Sequence, residues 1–533
     1  MSKPLSYQTL TNFGVNGLNT QNNPATLDPS YLTSADNIVL RESGRISFRK
    51  GLKQKVVPTG VAIGSMVEHN DQGTNKIFAS HGTSIYTIDF TSPNAAFPSS
   101  GADVKHTVGS TTADWQFVNF NNRLHCFHTG VIPQRYDGSL GSGVKWTAHA
   151  TDPASIATLF DPSCGMGFYG RIWCGGVTEA KDVVYYSNLL DGDDWTGGDT
   201  GLLDLSKVWG TDEVVAIAPF YGQLVIFGKN NIAIYDSPTV VGNLVLNEVI
   251  SGIGCVSRDS VQAIGDDLVF LSSTGLRSLI RTAEKDKLPL TDLTVNIKDT
   301  IIRNIGNSNN VKSVYVESEG IYIMSFVALN INYVFDFKHT TPEGTPRITT
   351  WTFNNDREPA SMINTELYSG LLVGQKDGSI AGYESYFDTD LAWVSSAASY
   401  TNAAITADVS SVWIPMGESF TASILKKMIL VLEGGSGAVL GLRWYKDFSI
   451  NSSTTTQISL NPVTTGATAL WGASTSLYGK AGITYTPVFG LEEYQTALTG
   501  SAKNLKLNMS IVSNGFDTSI QDLSLISLQG KIR

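Results

Sequence analysis

The feature that most constrains this chain is a turn-and-strand unit that returns about every 50 residues through its first two-thirds. Each copy is a Gly, Asn or Asp turn that runs into an apolar strand, often followed by a second turn and strand. The copies are Asn75-Lys76-Ile77-Phe78, Asn122-Arg123-Leu124, Tyr169-Gly170-Arg171-Ile172, Tyr221-Gly222-Gln223-Leu224, Gly265-Asp266-Asp267-Leu268, Glu319-Gly320-Ile321 and Ser369-Gly370-Leu371. Their first apolar residues fall at 77, 124, 172, 224, 268, 321 and 371, so the steps are 47, 48, 52, 44, 53 and 50. A four-stranded propeller blade takes ~40–50 residues. One blade cannot bury both of its faces alone, so blades must stack and the ring must close. Several copies continue as hairpins, as where Lys229-Asn230-Asn231 turns into Ile232-Ala233-Ile234-Tyr235-Asp236. His81-Gly82-Thr83-Ser84 and Lys376-Asp377-Gly378 do the same. The spacing predicts an all-β chain with a β-propeller of about seven blades over 61–390. A β-sandwich with evenly spaced hairpins is the competing reading.

Between the fifth and sixth copies the period changes. Leu293, Ile297, Ile301 and Ile305 recur at four-residue steps from Thr291-Asp292 to Gly306. That predicts a helix inserted between blades and packed outside the ring. Beyond 390 the repeat stops. Leu505, Leu507, Met509 and Ile511 alternate with polar residues, as do Leu440, Leu442 and Trp444. Such alternation predicts half-buried strands, and Lys427 to Glu433 reads as a more fully buried one. A β-sandwich or jelly-roll-like domain is expected over 391–533. Residues 1–60 read as an extended N-terminal arm with first strands, packing with that domain.

The balance of 37 basic against 48 acidic residues gives a formal charge of −11. An acidic chain does not hold a phosphate backbone by releasing counterions, so any contact with DNA is expected to be passive. The N-terminus, Met1-Ser2-Lys3-Pro4, opens no apolar signal-peptide core. The longest apolar stretch, Val214 to Gly228, is interrupted by Pro219, Gly222 and Gln223, and no membrane segment is expected. Cys126, Cys164, Cys174 and Cys255 form no C-x-x-C pair. They read as free core thiols of a chain made in a reducing cytoplasm.

Few motifs suggest chemistry. Asp191-Gly192-Asp193-Asp194-Trp195, with Asp199 near, offers carboxylates on a loop in the manner of a Ca²⁺ site. It departs from the EF-hand pattern, and the alternative is a solvated inter-strand turn. Ser187 to Trp195 also resembles one imperfect Asp-box of sialidase propellers. Asp266-Asp267 reads as a structural turn pair. On a strand, Cys126 and His128 share a face while His125 points away, which leaves too few ligands for a metal. Cys126 and Cys174 each lie two residues after their anchors, as equivalent core positions. Trp173, Tyr185, Tyr186 and Trp195 are candidates for carbohydrate contact or, more simply, blade packing. His69, His81, His106, His125, His128, His149 and His339 are scattered along the chain. No G-x-S-x-G, P-loop or H-E-x-x-H is present. The expectation is a non-enzyme with no catalytic residues, no cofactor and no metal.

One family resemblance spans the chain. Phe13-Gly14-Val15-Asn16-Gly17-Leu18-Asn19-Thr20, then Pro29, Leu32, Ala35-Asp36-Asn37 and Gly44-Arg45-Ile46-Ser47-Phe48-Arg49-Lys50-Gly51, resembles the opening of the tail nozzle, or tail stabilisation, proteins of short-tailed bacteriophages (podoviruses). Val184-Tyr185-Tyr186-Ser187 with Asp194-Trp195, the helix after Thr291, and Ser519 to Leu525 with Gly530-Lys531 are similar to theirs. The chain departs at Asn16-Gly17, where Gly-Gly is usual. The resemblance, which includes tail tubular protein B-like subunits, implies a virion structural protein in a hexameric ring. That ring would extend the DNA ejection channel below the portal and adaptor and dock tail fibres, spikes or a needle. The alternatives are a fibre-adaptor or receptor-binding tail protein and a propeller glycosidase.

Overall fold

The computed structural model describes residues 5–41, 45–90, 97–98, 114–140, 145–236, 244–280, 292–308, 310–353, 357–368, 370–383, 389–417, 422–433, 438–459, 491–513 and 518–529. Gly44, His106, Thr291, Ser369, Gly530 and Lys531 of the sequence reading lie outside them. The chain forms two compact units, one of residues 54–332 and 353–382, the other of 1–53, 333–352 and 383–533. Residues 333–352, placed within the propeller by their position in the sequence, thus belong to the second unit. Repeat spacing is blind to such an excursion, because it fits inside one blade-to-blade step.

The first unit is the propeller. Its blades are antiparallel meanders in chain order. The first is Ile63–Asp71, Thr74–His81 and Ser84–Thr87. The second is Gln116–Phe120, Arg123–His128, Val131–Tyr136 and Trp146–Ala148. Cys164–Phe168, Arg171–Val177, Ala180–Tyr186 and Gly201–Asp204 form the third, and Val214–Phe220, Gln223–Gly228, Asn231–Asp236 and Val245–Ser251 the fourth. Gln262–Ile264, Asp267–Ser272 and Gly275–Ser278 form the fifth. Pro359–Thr365, Gly370–Gln375 and Ile380–Tyr383 make the last, and the strand Leu52–Val56 lies beside Ile380–Tyr383. The ring is therefore closed by strands from both ends of the propeller segment, which removes the open edges a linear stack would leave.

The repeat anchors Ile77, Leu124, Ile172, Leu224, Leu268, Ile321 and Leu371 are all buried on second strands. The arrangement is six-bladed, where the sequence predicted about seven. The difference lies at Ile321. Its hairpin, Val311–Val316 with Ile321–Phe326, fills the place between the fifth and last blades, but its next strand, Ile331–Thr340, leaves the propeller after Asn332. Neighbouring blades share apolar layers. Trp173, Val184, Ile217, Leu224 and Ala233 pack between the third and fourth, and Val225, Phe227, Leu268 and Phe270 between the fourth and fifth.

The inserted helix runs Lys298–Asn307, preceded by the 3₁₀ turn Val295–Ile297. It lies against Gly275–Ser278, the outermost strand of the fifth blade. Its inner face carries Ile301 and Asn304. The helix begins later than the periodicity predicts, because Asp292 turns the chain first by accepting from the Thr294 N–H at 2.8 Å.

In the second unit, one sheet orders Leu491–Ala497, Ser423–Glu433, Ser519–Leu528, Ile46–Phe48 and Ile38–Leu40. The other runs Pro346–Trp351, Gly17–Leu18, Tyr31–Asp36, Thr406–Ser411, Asn504–Val512, Val439–Lys446 and Thr456–Ser459. The N-terminal segment, read as an arm, contributes five strands to this unit among the described residues. Leu5–Thr9, for instance, pairs antiparallel with Ser519–Leu528. Leu505, Leu507, Met509, Ile511, Leu440, Leu442 and Trp444 are buried as their alternation predicted. Within Ser423–Glu433, only Met428, Leu430 and Leu432 of the predicted buried run are fully buried. Ile429 and Val431 face the other side, so this strand also has one apolar face.

Arg49, 1% exposed, organises the second unit. Its Nη1 and Nη2 donate to the two carboxylate oxygens of Asp390, both at 3.1 Å. Nε donates to Asn37 Oδ1 at 2.8 Å, and Nη2 also reaches the Thr352 carbonyl. Asp390 Oδ1 accepts from the Leu52 N–H at 2.9 Å. Asn37 donates to Thr352 Oγ1 and the Thr406 carbonyl. A Cβ on Gly51 would stand 1.8 Å from the Thr389 carbonyl oxygen, so only glycine lets the two segments pass this closely.

Candidate functional site

The acidic loop between the third and fourth strands of the third blade does not gather its carboxylates around one point. Asp194 accepts from the Thr196 and Gly197 N–H groups at 3.0 and 2.9 Å, and from Asn188 Nδ2 at 2.9 Å. These bonds hold its carboxyl below the usual range. Asp191 accepts from the Asp193 N–H at 3.1 Å. Asp199 offers its carbonyl to Arg171. Asp193 turns inward and is 4% exposed, so neither the Ca²⁺ loop nor a wholly solvated turn describes it.

Asp193 meets the second blade. It pairs with Arg135, and Arg123 Nη1 stands 3.8 Å away. His125 and His149, both from the second blade and both buried, have ring nitrogens 3.9 and 3.7 Å from Asp193 Oδ1. Three potential ligand atoms thus come together, although the histidines look scattered in sequence. The protons decide what the cluster is. Trp195 Nε1 donates to His149 Nδ1 at 3.0 Å. An indole nitrogen only donates, so neutral His149 carries its proton on Nε2. That proton points at His125 Nδ1, 3.0 Å away. Both inward-facing nitrogens are therefore used, and a cation there would also face Arg135 and Arg123. The residues do not fit a metal ion. Burial, reinforced by Arg135 and Arg123, pushes His125 down to about 3. Burial, with His125 and Arg135, holds His149 well below its ordinary value. The cluster is a neutral, charge-paired latch between the second and third blades.

Trp173, Tyr185 and Trp195 are buried and Tyr186 half-buried, so the packing reading holds for these aromatics. Trp173 Nε1 donates to the Phe168 carbonyl. None of the four cysteines is in a disulfide, and all are buried. Burial raises Cys164 to about 12 and Cys255 to about 11, which leaves them without nucleophilic thiolate at neutral pH.

A second cluster, invisible in the sequence, lies on the propeller axis. Strands from the first, second, fifth and last blades and the Val311–Val316 strand line a cavity of about 250 Å³. Arg258 donates to Asp259 Oδ1 at 3.2 Å, to Asp114 Oδ1 at 2.7 Å and to the Ser163 carbonyl at 2.5 Å. Lys312 Nζ bridges Asp259 Oδ2, at 2.6 Å, and Asp114. Burial opposes the ionisation of Asp259, but Arg258 and Lys312 outweigh it and hold the carboxyl down to about 2. Burial likewise opposes the Arg258 charge, and Asp259 and Asp114 keep it above its ordinary range. Nothing local announces these residues, which come from four separate stretches of chain and meet only when the ring closes.

Fold and geometry together define an all-β protein built on a β-propeller. No protein-family model matches the chain, and no curated protein sequence matches it significantly. Among solved structures, it is similar to the Neurospora crassa Pan2 WD40 domain, with TM-score 0.35, 10% identity, and coverage of 61% of this chain and 89% of that one. It is also similar to Drosophila Semaphorin 2a, with TM-score 0.37, 11% identity, and coverage of 67% and 81%.

Proposed function

We propose that this chain is a structural subunit of the tail nozzle of a short-tailed bacteriophage. In this reading, copies form a ring, of six by the family resemblance, below the tail adaptor. Ejected DNA passes through the ring without sequence-specific contact, and outer loops dock fibres, spikes or a needle. The observation that carries the reading is the Arg49 node. Two stretches of the resembling line, Ala35-Asp36-Asn37 and Arg49-Lys50-Gly51, are brought together there in one buried hydrogen-bonded unit. Loosely spaced residues that the resemblance picks out thus serve a single structural purpose.

Two further points favour a protein that works by geometry. A retaining or inverting glycosidase needs a carboxylic acid held protonated near neutral pH. On the axis the opposite holds, because Arg258 and Lys312 keep Asp259 ionised. The rim also offers contact groups. Tyr169 and Tyr221 sit at equivalent turns of the third and fourth blades, 44% and 69% exposed, with φ of 48° and 46°. Bulky residues are seldom placed in that strained region without a use for the side chain.

Immunogold electron microscopy of the parent particle, with an antibody against this chain, tests the reading. Gold at the distal end of a short tail is the expected result. Gold on radiating fibres moves the fibre-adaptor reading ahead, and a particle without label overturns both.

A further inference from the structure

The outer face of the second sheet of the second unit carries an open groove of about 450 Å³, within the usual range of small-molecule sites. It runs over the strands Thr406–Ser411, Asn504–Val512, Val439–Lys446 and Thr456–Ser459. Alternation along these strands buries their apolar residues and leaves the polar ones on this face. Gly441 and Ser510 stand opposite each other in register at its middle, and the missing side chain at Gly441 leaves the sheet hollow there. Asn508 Nδ2 donates to Asp408 Oδ1 and Ser410 Oγ, both at 2.8 Å. Both amide hydrogens are thereby used, and Oδ1 remains as an acceptor. Arg443 Nε donates to Thr455 Oγ1 at 2.7 Å, which steadies the guanidinium and leaves its two terminal nitrogens as donors. Arg443 lies directly opposite Asn508, so held donors stand beside a held acceptor. Arg443 and Gln457 are exposed, and Asn508, Ser510 and Tyr445 half-buried, so solvent reaches all of them.

The charges on this face cancel. Arg443 and Lys506 stand against Asp408 and Asp36, which is opposite Asp408 on the neighbouring strand. A charged ligand gains no net attraction from such a face, whereas a neutral one needs only its hydrogen bonds. Two adjacent hydroxyl groups fit the Arg443–Asn508 pair, one accepting from the guanidinium and the other donating to Asn508 Oδ1. Val439 and Val512, paired at one end of the groove, and the Tyr445 ring toward the other offer apolar surface to the C–H faces of a sugar. We propose that this groove binds a neutral saccharide through a pair of adjacent hydroxyl groups. The site lies wholly in the second unit and is independent of the nozzle reading.

Saturation-transfer NMR on the full chain tests it. Maltotriose, cellotriose, triacetylchitotriose and, as a charged counterpart, trigalacturonate are offered one at a time at millimolar concentration. Transfer to at least one of the three neutral sugars is expected. Gly441→Val should abolish it by filling the hollow, and the fold has room for the change, since a Cβ there meets nothing nearer than Thr455 Cγ2 at 3.4 Å. Arg443→Ala should weaken binding about 10-fold, the worth of hydrogen bonds from a charged donor. It removes an exposed side chain, so the melting temperature should stay within about 2 °C of the parent. Absence of transfer to all four sugars overturns the proposal, as does transfer to trigalacturonate alone, which marks an anion site instead. Transfer that either substitution leaves intact overturns it as well, by placing the sugar elsewhere on the molecule.

Discussion

Replacing Asp390 by alanine removes the carboxylate that holds the Arg49 guanidinium through two hydrogen bonds in the interior of the second unit. Arg49 is 1% exposed, and besides Asp390 its guanidinium donates to Asn37 and to the Lys50 and Thr352 carbonyls, all uncharged, while Asp36 also feels its charge. Removing one member of a buried pair costs about 3–5 kcal/mol, because the remaining charge loses its nearest counter-ion. The Leu52 N–H loses its acceptor in the same stroke. For a unit of this size, 1 kcal/mol shifts the melting temperature by about 2–4 °C, so a drop of roughly 6–20 °C is expected. Differential scanning calorimetry of the full chain measures it. Asp390→Asn should lose less, since an amide oxygen still accepts from Leu52. The double change Arg49→Met with Asp390→Leu should recover part of the loss by removing both charges. Recovery stays incomplete because the Lys50 and Thr352 carbonyls then lack their donor. As a control, Lys181→Ala breaks a pair whose lysine is 60% exposed, and should cost under about 1 kcal/mol. If Asp390→Ala melts within about 2 °C of the parent, the node is not what holds this unit together.

The buried histidines set an acid limit. His125 has its pKa lowered from 6.5 to about 3, so between those values the unfolded chain binds a proton that the folded chain refuses. Stability should therefore fall as pH drops from 6.5 toward 3, by about 1.4 kcal/mol per unit from this group, and chemical denaturation of His125→Asn against the parent at pH 4 and 7 checks the slope. Thiol titration with a disulfide reagent at pH 8 should find none of the four cysteines reactive in the native chain and all four in denaturant, since each is buried. Tyr221→Asn should stabilise the isolated chain by about 1 kcal/mol, because it relieves a left-handed backbone position that tyrosine tolerates poorly; a lowered melting temperature would show that the ring packs usefully in the free protein. Zinc added to the chain should leave the His125 and His149 ring resonances unshifted in NMR, as the Trp195–His149 proton assignment requires.

The repeating part of the architecture was legible along the chain. Burial of one apolar anchor per blade needs a turn and a strand at a fixed step, and that requirement is written locally, from Ile77 through Leu371. The alternation at Leu505–Ile511 likewise recorded which face of a strand would be buried, because the side-chain period of a strand is set by its own backbone. The places where distant segments meet came from the folded chain alone. Residues 333–352 leave the propeller, and Arg49 finds Asp390, with no local signal for either. His125, His149 and Asp193 stand in different elements, and their role turned on the direction of one indole N–H. The axial charges joined only through closure of the ring. Apolar periodicity is a property of neighbours along the chain, whereas ion pairs and proton positions depend on approaches across it, and folding alone supplies those.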